Sequence, residues 1–284
     1  MVFNWHLSVI KSDREGPDWI RGKIQRFARG MVNIHEAGIG MSLNRTINFL
    51  ILILGVSSGT FRINFARSTS TDTIIYLLPG QGADSRLFKY IEFPYDTFHL
   101  ELPVPDKNAT LREYAHGFID RIDTSRPFIL IGVSFGGMIC SELADTLEPE
   151  SIIVISSAKC RSEMPGRYRF QKSIPLNKII PKGMTKWGAK VLAPLVEPAR
   201  KQDEEIFRSM LEAKDPVYLK RTVDMVINWD KQVFDSRIIH IHGDKDHTLP
   251  HRRVNYDYLV KDGTHMMVYI RGKEVSELIN KILY

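Results

Sequence analysis

This chain is short of cysteine and of long apolar runs, and each shortage closes off a class of protein. Cys140 and Cys160 are the only cysteines in 284 residues, with no Cys-x-x-Cys and no Cys/His ligand spacing. Zinc, redox and disulfide-framework readings therefore have nothing to rest on, and cysteine usage assigns no compartment. The apolar run Asn48–Val56 is too short to cross a bilayer as a helix, which needs about 20 residues. No dense Lys/Arg run is interleaved with aromatics, which argues against nucleic acid as a partner. Internal repeats and low-complexity tracts are missing as well. Gly80-Gln81-Gly82 is not followed by Gly-Lys-Ser/Thr, and no dinucleotide fingerprint is complete, so no phosphate-binding loop is implied.

What remains is the composition of an ordinary globular protein, 43% hydrophobic and 25% charged, long enough for one large α/β domain with an insertion. The formal charge of +6 is uneven: +5 over 1–70, −6 over 71–160, +5 over 161–235 and +2 over 236–284. Residues 1–70 form an N-terminal extension. Its segment 46–59 resembles the apolar region of a secretory signal, with Arg45 before it and Ser57, Ser58 and Gly59 after it. Forty-five residues precede that segment, so export requires translation to start at Met41. A buried or membrane-skimming segment of an uncleaved extension fits equally well. Location thus stays open between cytoplasm and export, and membrane association would run only through 46–59.

From Thr73 onward, short apolar runs alternate with amphipathic stretches, as in a mostly parallel sheet covered by helices. Strands are expected at Thr73–Leu78, Thr97–Leu102, Phe128–Val133, Ser151–Ile155, Ile238–His242 and Tyr256–Val260. Helices are expected from Thr110 to Ile122, after Ser134, and over Val275–Leu283. Residues 161–233 read as a helical cap inserted between strands, with helices over Glu204–Lys214 and Val217–Trp229. The main domain would then be 71–160 joined to 234–284.

The chemistry centres on Gly132-Val133-Ser134-Phe135-Gly136, a Gly-x-Ser-x-Gly turn between a buried-looking strand and a helix. A serine on so sharp a turn needs glycines beside it, where the backbones come close. It also needs a base to take its proton and an acid to orient that base. Each should directly follow a strand, because groups at the carboxyl ends of a parallel sheet converge. Gly243-Asp244-Lys245-Asp246 follows one strand and supplies Asp246 as the orienting acid, with Asp244 as the alternative. Gly263-Thr264-His265 follows the last strand and supplies the base. His240 and His242 share one strand face; as packed polar residues they need no third partner, and as a metal pair they lack one. The backbone N–H groups of Gln81 and Phe135 are placed to face a developing oxyanion. Met138, Met266 and Trp187 are candidates for lining an apolar substrate pocket.

These four pieces, in the order Ser134, Asp246, His265 with Pro79-Gly80-Gln81-Gly82 ahead of them, resemble the α/β-hydrolase superfamily, in particular small esterase-like members with a helical cap. The resemblance covers about Thr73 to Tyr284. It implies an α/β-hydrolase sheet, a serine nucleophile, no metal or organic cofactor, and hydrolysis of a small-molecule carboxylic ester. Thioesterase, acyltransferase, C–C hydrolase or lyase chemistry could use the same three residues, and a non-catalytic ligand-binding protein could share the scaffold. Pro79 stands where many members of that superfamily carry histidine.

Overall fold

A computed structural model of the chain describes residues 72–168 and 204–284. The extension 1–70 with its segment 46–59, the middle of the insertion, and Trp187 within it lie outside the described residues. The β-branched runs form six strands: β1 (Ile74–Leu78), β2 (Asp96–His99), β3 (Phe128–Val133), β4 (Ser151–Ile155), β5 (Ile238–Gly243) and β6 (Tyr258–Val260). The helices are α1 (Leu111–His116), α2 (Phe135–Leu143), α3 (Glu204–Glu212), α4 (Pro216–Asn228), α5 (Met267–Ile270) and α6 (Gly272–Leu283). All neighbouring strands are parallel, in the order β2-β1-β3-β4-β5-β6.

A parallel sheet must be covered on both faces, and the side-chain alternation shows how this one is. Phe128 and Leu130 of β3 join one apolar cluster with Leu111 and Tyr114 of α1 and Met138 and Ile139 of α2. Ile129, Ile131 and Val133 point the other way, into a cluster with Met267 of α5 and Val275, Ile279 and Leu283 of α6. Each fully buried aliphatic side chain stabilises the fold by about 2 kcal/mol. The helices from the insertion are tied to the same cores. Phe207 and Met210 of α3 enter the α6-side cluster, while Met225 of α4 and the following Trp229 enter the α2-side cluster. Trp229 Nε1 donates to the buried Glu142 Oε1 at 2.6 Å.

Several element boundaries differ from the sequence expectation. The helix expected to run from Thr110 to Ile122 stops after one and a half turns. Thr110 caps it through a reciprocal pairing with Glu113, but at Gly117 it gives way to a 3-10 turn over Ile119–Arg121. Glycine is a weak helix former, and the tighter turn still buries Phe118 and Ile122. Strand β2 ends at His99, although Leu100 N still donates to Leu77 O at 2.9 Å. Strand β6 keeps only the last three residues expected of it. Helix α5 was not anticipated, and α6 begins at Gly272, ahead of Val275.

Chain direction makes one place special. From β1 the chain crosses to β2 on one side, then returns to lay β3 on the other. The connections at the carboxyl ends of β1 and β3 therefore diverge and leave a crevice, where open α/β sheets place their ligands.

Candidate active site

Ser134 sits at that crevice, immediately after β3, with φ 52° and ψ −115°. This is strained for a residue with a Cβ. The strain is held in place by close backbone contact. A Cβ on Gly136 would lie 2.2 Å from Leu78 O, and one on Gly132 would lie 2.4 Å from Gly136 O. Neither position can carry a side chain without moving backbone. Ser134 N donates to Ile155 O at 2.9 Å, and Ser134 O accepts from Ser157 Oγ at 2.7 Å, so the turn is anchored to the end of β4.

His265 follows β6 and its Nε2 lies 2.9 Å from Ser134 Oγ. Its Nδ1 lies 2.8 Å from Asp246 Oδ2, in the loop after β5. A carboxylate can only accept, so Nδ1 carries the proton and Nε2 presents its lone pair to the serine hydroxyl. Asp246 is wholly buried and His265 nearly so, at 11% side-chain exposure. Burial pushes the Asp246 carboxyl up, but the neighbouring His265 charge and hydrogen bonds outweigh it and hold the group below the usual carboxylate range. The second oxygen is also occupied, since Leu249 N donates to Asp246 Oδ1 at 2.8 Å. Asp244 has a turn role: its N–H donates to Val260 O at 3.2 Å.

The loop after β1 closes the other side. A Cβ on Gly80 would lie 3.5 Å from Ser134 Cβ, so the loop packs directly against the serine. Gln81 is the next residue of this loop, and Phe135 opens α2, whose N-terminal dipole favours negative charge. The Gln81 side chain does something the sequence did not signal. Its Nε2 reaches α4 and donates to Thr222 Oγ1 at 2.6 Å and to Leu219 O at 3.3 Å. Met138 is buried in the α2-side core at 3% exposure, and Met266 is half-buried against the other core cluster.

Behind Asp246, sequence reasoning passed over a buried chain of polar groups. His242 Nε2 lies 2.7 Å from Leu249 O, and its Nδ1 lies 3.0 Å from His240 Nε2. His240 Nδ1 lies 3.1 Å from Asn255 O, and Asn255 N donates to the buried Glu163 Oε1 at 2.9 Å. The available signal was the His-Ile-His alternation directly ahead of Gly243. Among the described residues, no cluster of three or more His, Cys, Asp or Glu is arranged to hold a metal ion.

The residue pattern of the Alpha/beta hydrolase family matches residues 50–278. The chain belongs to that family. This alpha/beta hydrolase is similar in structure to a hydrolase from Pseudomonas aeruginosa, with a TM-score of 0.61 and 16% identity over 75% of this chain and 91% of that one. It is similar also to a thermophilic esterase from Thermogutta terrifontis, solved with malate bound, with a TM-score of 0.57 and 15% identity over 76% and 90% of the two chains. At such identities the likeness is one of fold. In sequence, 92 residues, or 29% of the chain, are 32% identical to the nonribosomal peptide synthetase agiA of Aspergillus flavus. The chain spans about 1% of the length of that synthetase. Family membership points to hydrolase chemistry.

Proposed function

We propose that the protein is a serine hydrolase that cleaves a small carboxylic ester through an acyl-enzyme on Ser134. The observation that carries this reading is the unbroken hydrogen-bonded chain from Ser134 Oγ through His265 to Asp246 Oδ2. His265 Nε2 takes the hydroxyl proton as Oγ attacks the ester carbonyl, then returns it to the leaving alcohol. The same nitrogen takes a proton from water, whose oxygen attacks the acyl carbon, and hands it to Ser134 Oγ as the ester bond to the serine breaks and the acid leaves. Asp246 keeps Nδ1 protonated and balances the imidazolium that forms in each half-reaction. The carbonyl oxygen, negative in each tetrahedral intermediate, is received by the N–H groups of Gln81 and Phe135; loss of one such donor lowers turnover by about 10²–10³-fold. Helix α4 of the insertion is tied to the loop after β1 through the hydrogen bond between Gln81 and Thr222.

Hydrolysis of an aryl acetate by wild type and by Ser134→Ala tests the assignment. Turnover is expected to fall by about 10⁴–10⁶-fold, because the three side chains act as a unit. An alanine variant that turns over as fast as wild type would remove Ser134 from the mechanism. A panel of esters and thioesters of increasing acyl length then defines the substrate class.

A further inference from the structure

Protons can be counted in the histidine pair behind Asp246. Backbone carbonyls only accept, so Leu249 O requires a proton on His242 Nε2, and Asn255 O requires one on His240 Nδ1. Each ring then has one nitrogen left, and these two face each other at 3.0 Å. If both rings were neutral, two lone pairs would meet there, in side chains with no exposure and no room for water between them. A further contact says which ring carries the missing proton. Ser157 N donates to His240 Nε2 at 3.4 Å, marking that nitrogen as an acceptor. The proton between the rings therefore belongs to His242 Nδ1. With it in place all four nitrogens are satisfied, and the resulting charge lies 3.6 Å from Asp246 Oδ2.

We infer that His242 is a buried imidazolium, donating through Nδ1 to His240 and through Nε2 to Leu249 O, and that it acts as a positioning residue holding Asp246 ionised beneath His265. The functional half of this inference rests on the proposed serine-hydrolase mechanism; the protonation state does not. Burial pushes both His240 and His242 below the ordinary imidazole range. For His242 the Asp246 carboxylate and the Leu249 carbonyl oppose it, and the lone pair of His240 facing Nδ1 at 3.0 Å calls for a donor there. Other charges surround the pair. His251 and His265 act on His242 and Lys159 acts on His240, each disfavouring a proton. On the acidic side, Asp257 Oδ2 accepts from His240 N, and Glu163 is reached through Asn255. A second added proton, on His240, would find no acceptor, so the pair takes one and stops there.

A cation at His242 offsets part of the Asp246 charge felt by His265. It should therefore lower the pH at which His265 becomes a free base.

Side-chain ¹⁵N–¹H NMR of histidine-labelled wild-type protein reads the protonation state directly and needs no substrate. His242 is expected to carry protons on both nitrogens at neutral pH; a single-proton signature there would overturn the inference. The functional consequence is read from the pH profile of kcat/KM for wild type and His242→Gln, which keeps a donor toward Leu249 O but no charge. The acid limb is expected to move up by about 1 pH unit, as loss of a nearby like charge does to an imidazole. A profile scaled down at every pH with its acid limb unmoved would mean that His242 serves only in packing. If no ester is turned over, the proposed function fails while the NMR result still stands.

Discussion

At the end of β3, Ser134 is aimed by backbone. A positive φ, two glycines with no space for a Cβ, and amide contacts to β4 set its direction, and His265 is the side chain that meets its hydroxyl among the described residues. At the end of β5, Asp246 is aimed by a polar network. Leu249 N and His265 meet its two oxygens, and the buried His242 lies 3.6 Å from Oδ2. One rim stores strain to present a hydroxyl; the other satisfies buried charge to orient an imidazole. The two should fail differently when altered. Losing a contact at the β3 rim changes stability with little room for partial function. Losing a partner at the β5 rim changes protonation states while the backbone stays in place.

The largest effect that would sharpen this contrast is Asp246→Asn. The side chain keeps its shape, but its amide can donate toward His265 Nδ1 and favours the wrong tautomer. kcat for a soluble aryl ester should fall by about 10⁴-fold with little change in the circular dichroism spectrum. A smaller loss than tenfold would mean that another carboxylate orients the imidazole. Next comes Gly136→Ala. Its Cβ would meet Leu78 O at 2.2 Å, with no flexible side chain able to give way. Denaturant unfolding should show a loss of about 3 kcal/mol, at the upper end of overpacking costs, or a failure to fold. A variant as stable as wild type would show that the β1–α2 contact can slide.

The pH dependence of stability separates the rims without a new side chain at the β3 rim. The folded Asp246 carboxyl titrates below its ordinary value of 3.8. The unfolded chain therefore binds this proton more readily than the folded one. The stability due to Asp246 is fully present above its ordinary value and declines as pH falls through the lower folded value. The difference in unfolding free energy between wild type and Asp246→Asn should thus shrink as pH falls below about 5. A difference that persists unchanged into strong acid would place its origin in packing instead. The smallest effect runs in the opposite direction. Ser134→Gly should abolish turnover yet raise stability by about 1 kcal/mol, because glycine adopts the positive φ without strain. An unchanged or lowered melting temperature would show that the turn is relaxed in the native fold.

Much of this was legible in the chain. Five of the six strands begin within a residue of where apolar, β-branched runs placed them, because burial on both faces of a parallel sheet leaves little choice of residue. That Ser134, His265 and Asp246 meet was foreseeable because each lies in a loop that follows a strand, where chain direction brings loops to one rim. The break at Gly117 was harder to see. The apolar spacing from Leu111 to Ile122 suits a continuous helix, and only packing rewards the tighter turn that replaces its second half. Helix α5 is a single turn, too short to show a period of its own.

The buried network was the least visible part. His240 and His242 stand two residues apart on one strand, and that spacing fits packing, metal binding or proton sharing alike. Three-dimensional structure added their partners Leu249 O and Asn255 O, carbonyls whose positions no local pattern encodes. The same holds for Gln81, whose reach to Thr222 spans 141 positions of chain. Sequence alone determined which elements form and which side chains stand at their ends, since periodicity and backbone sterics act over a few residues. The tertiary structure decided which lone pair meets which proton, because hydrogen-bond geometry depends on tenths of an ångström between segments that meet only after folding.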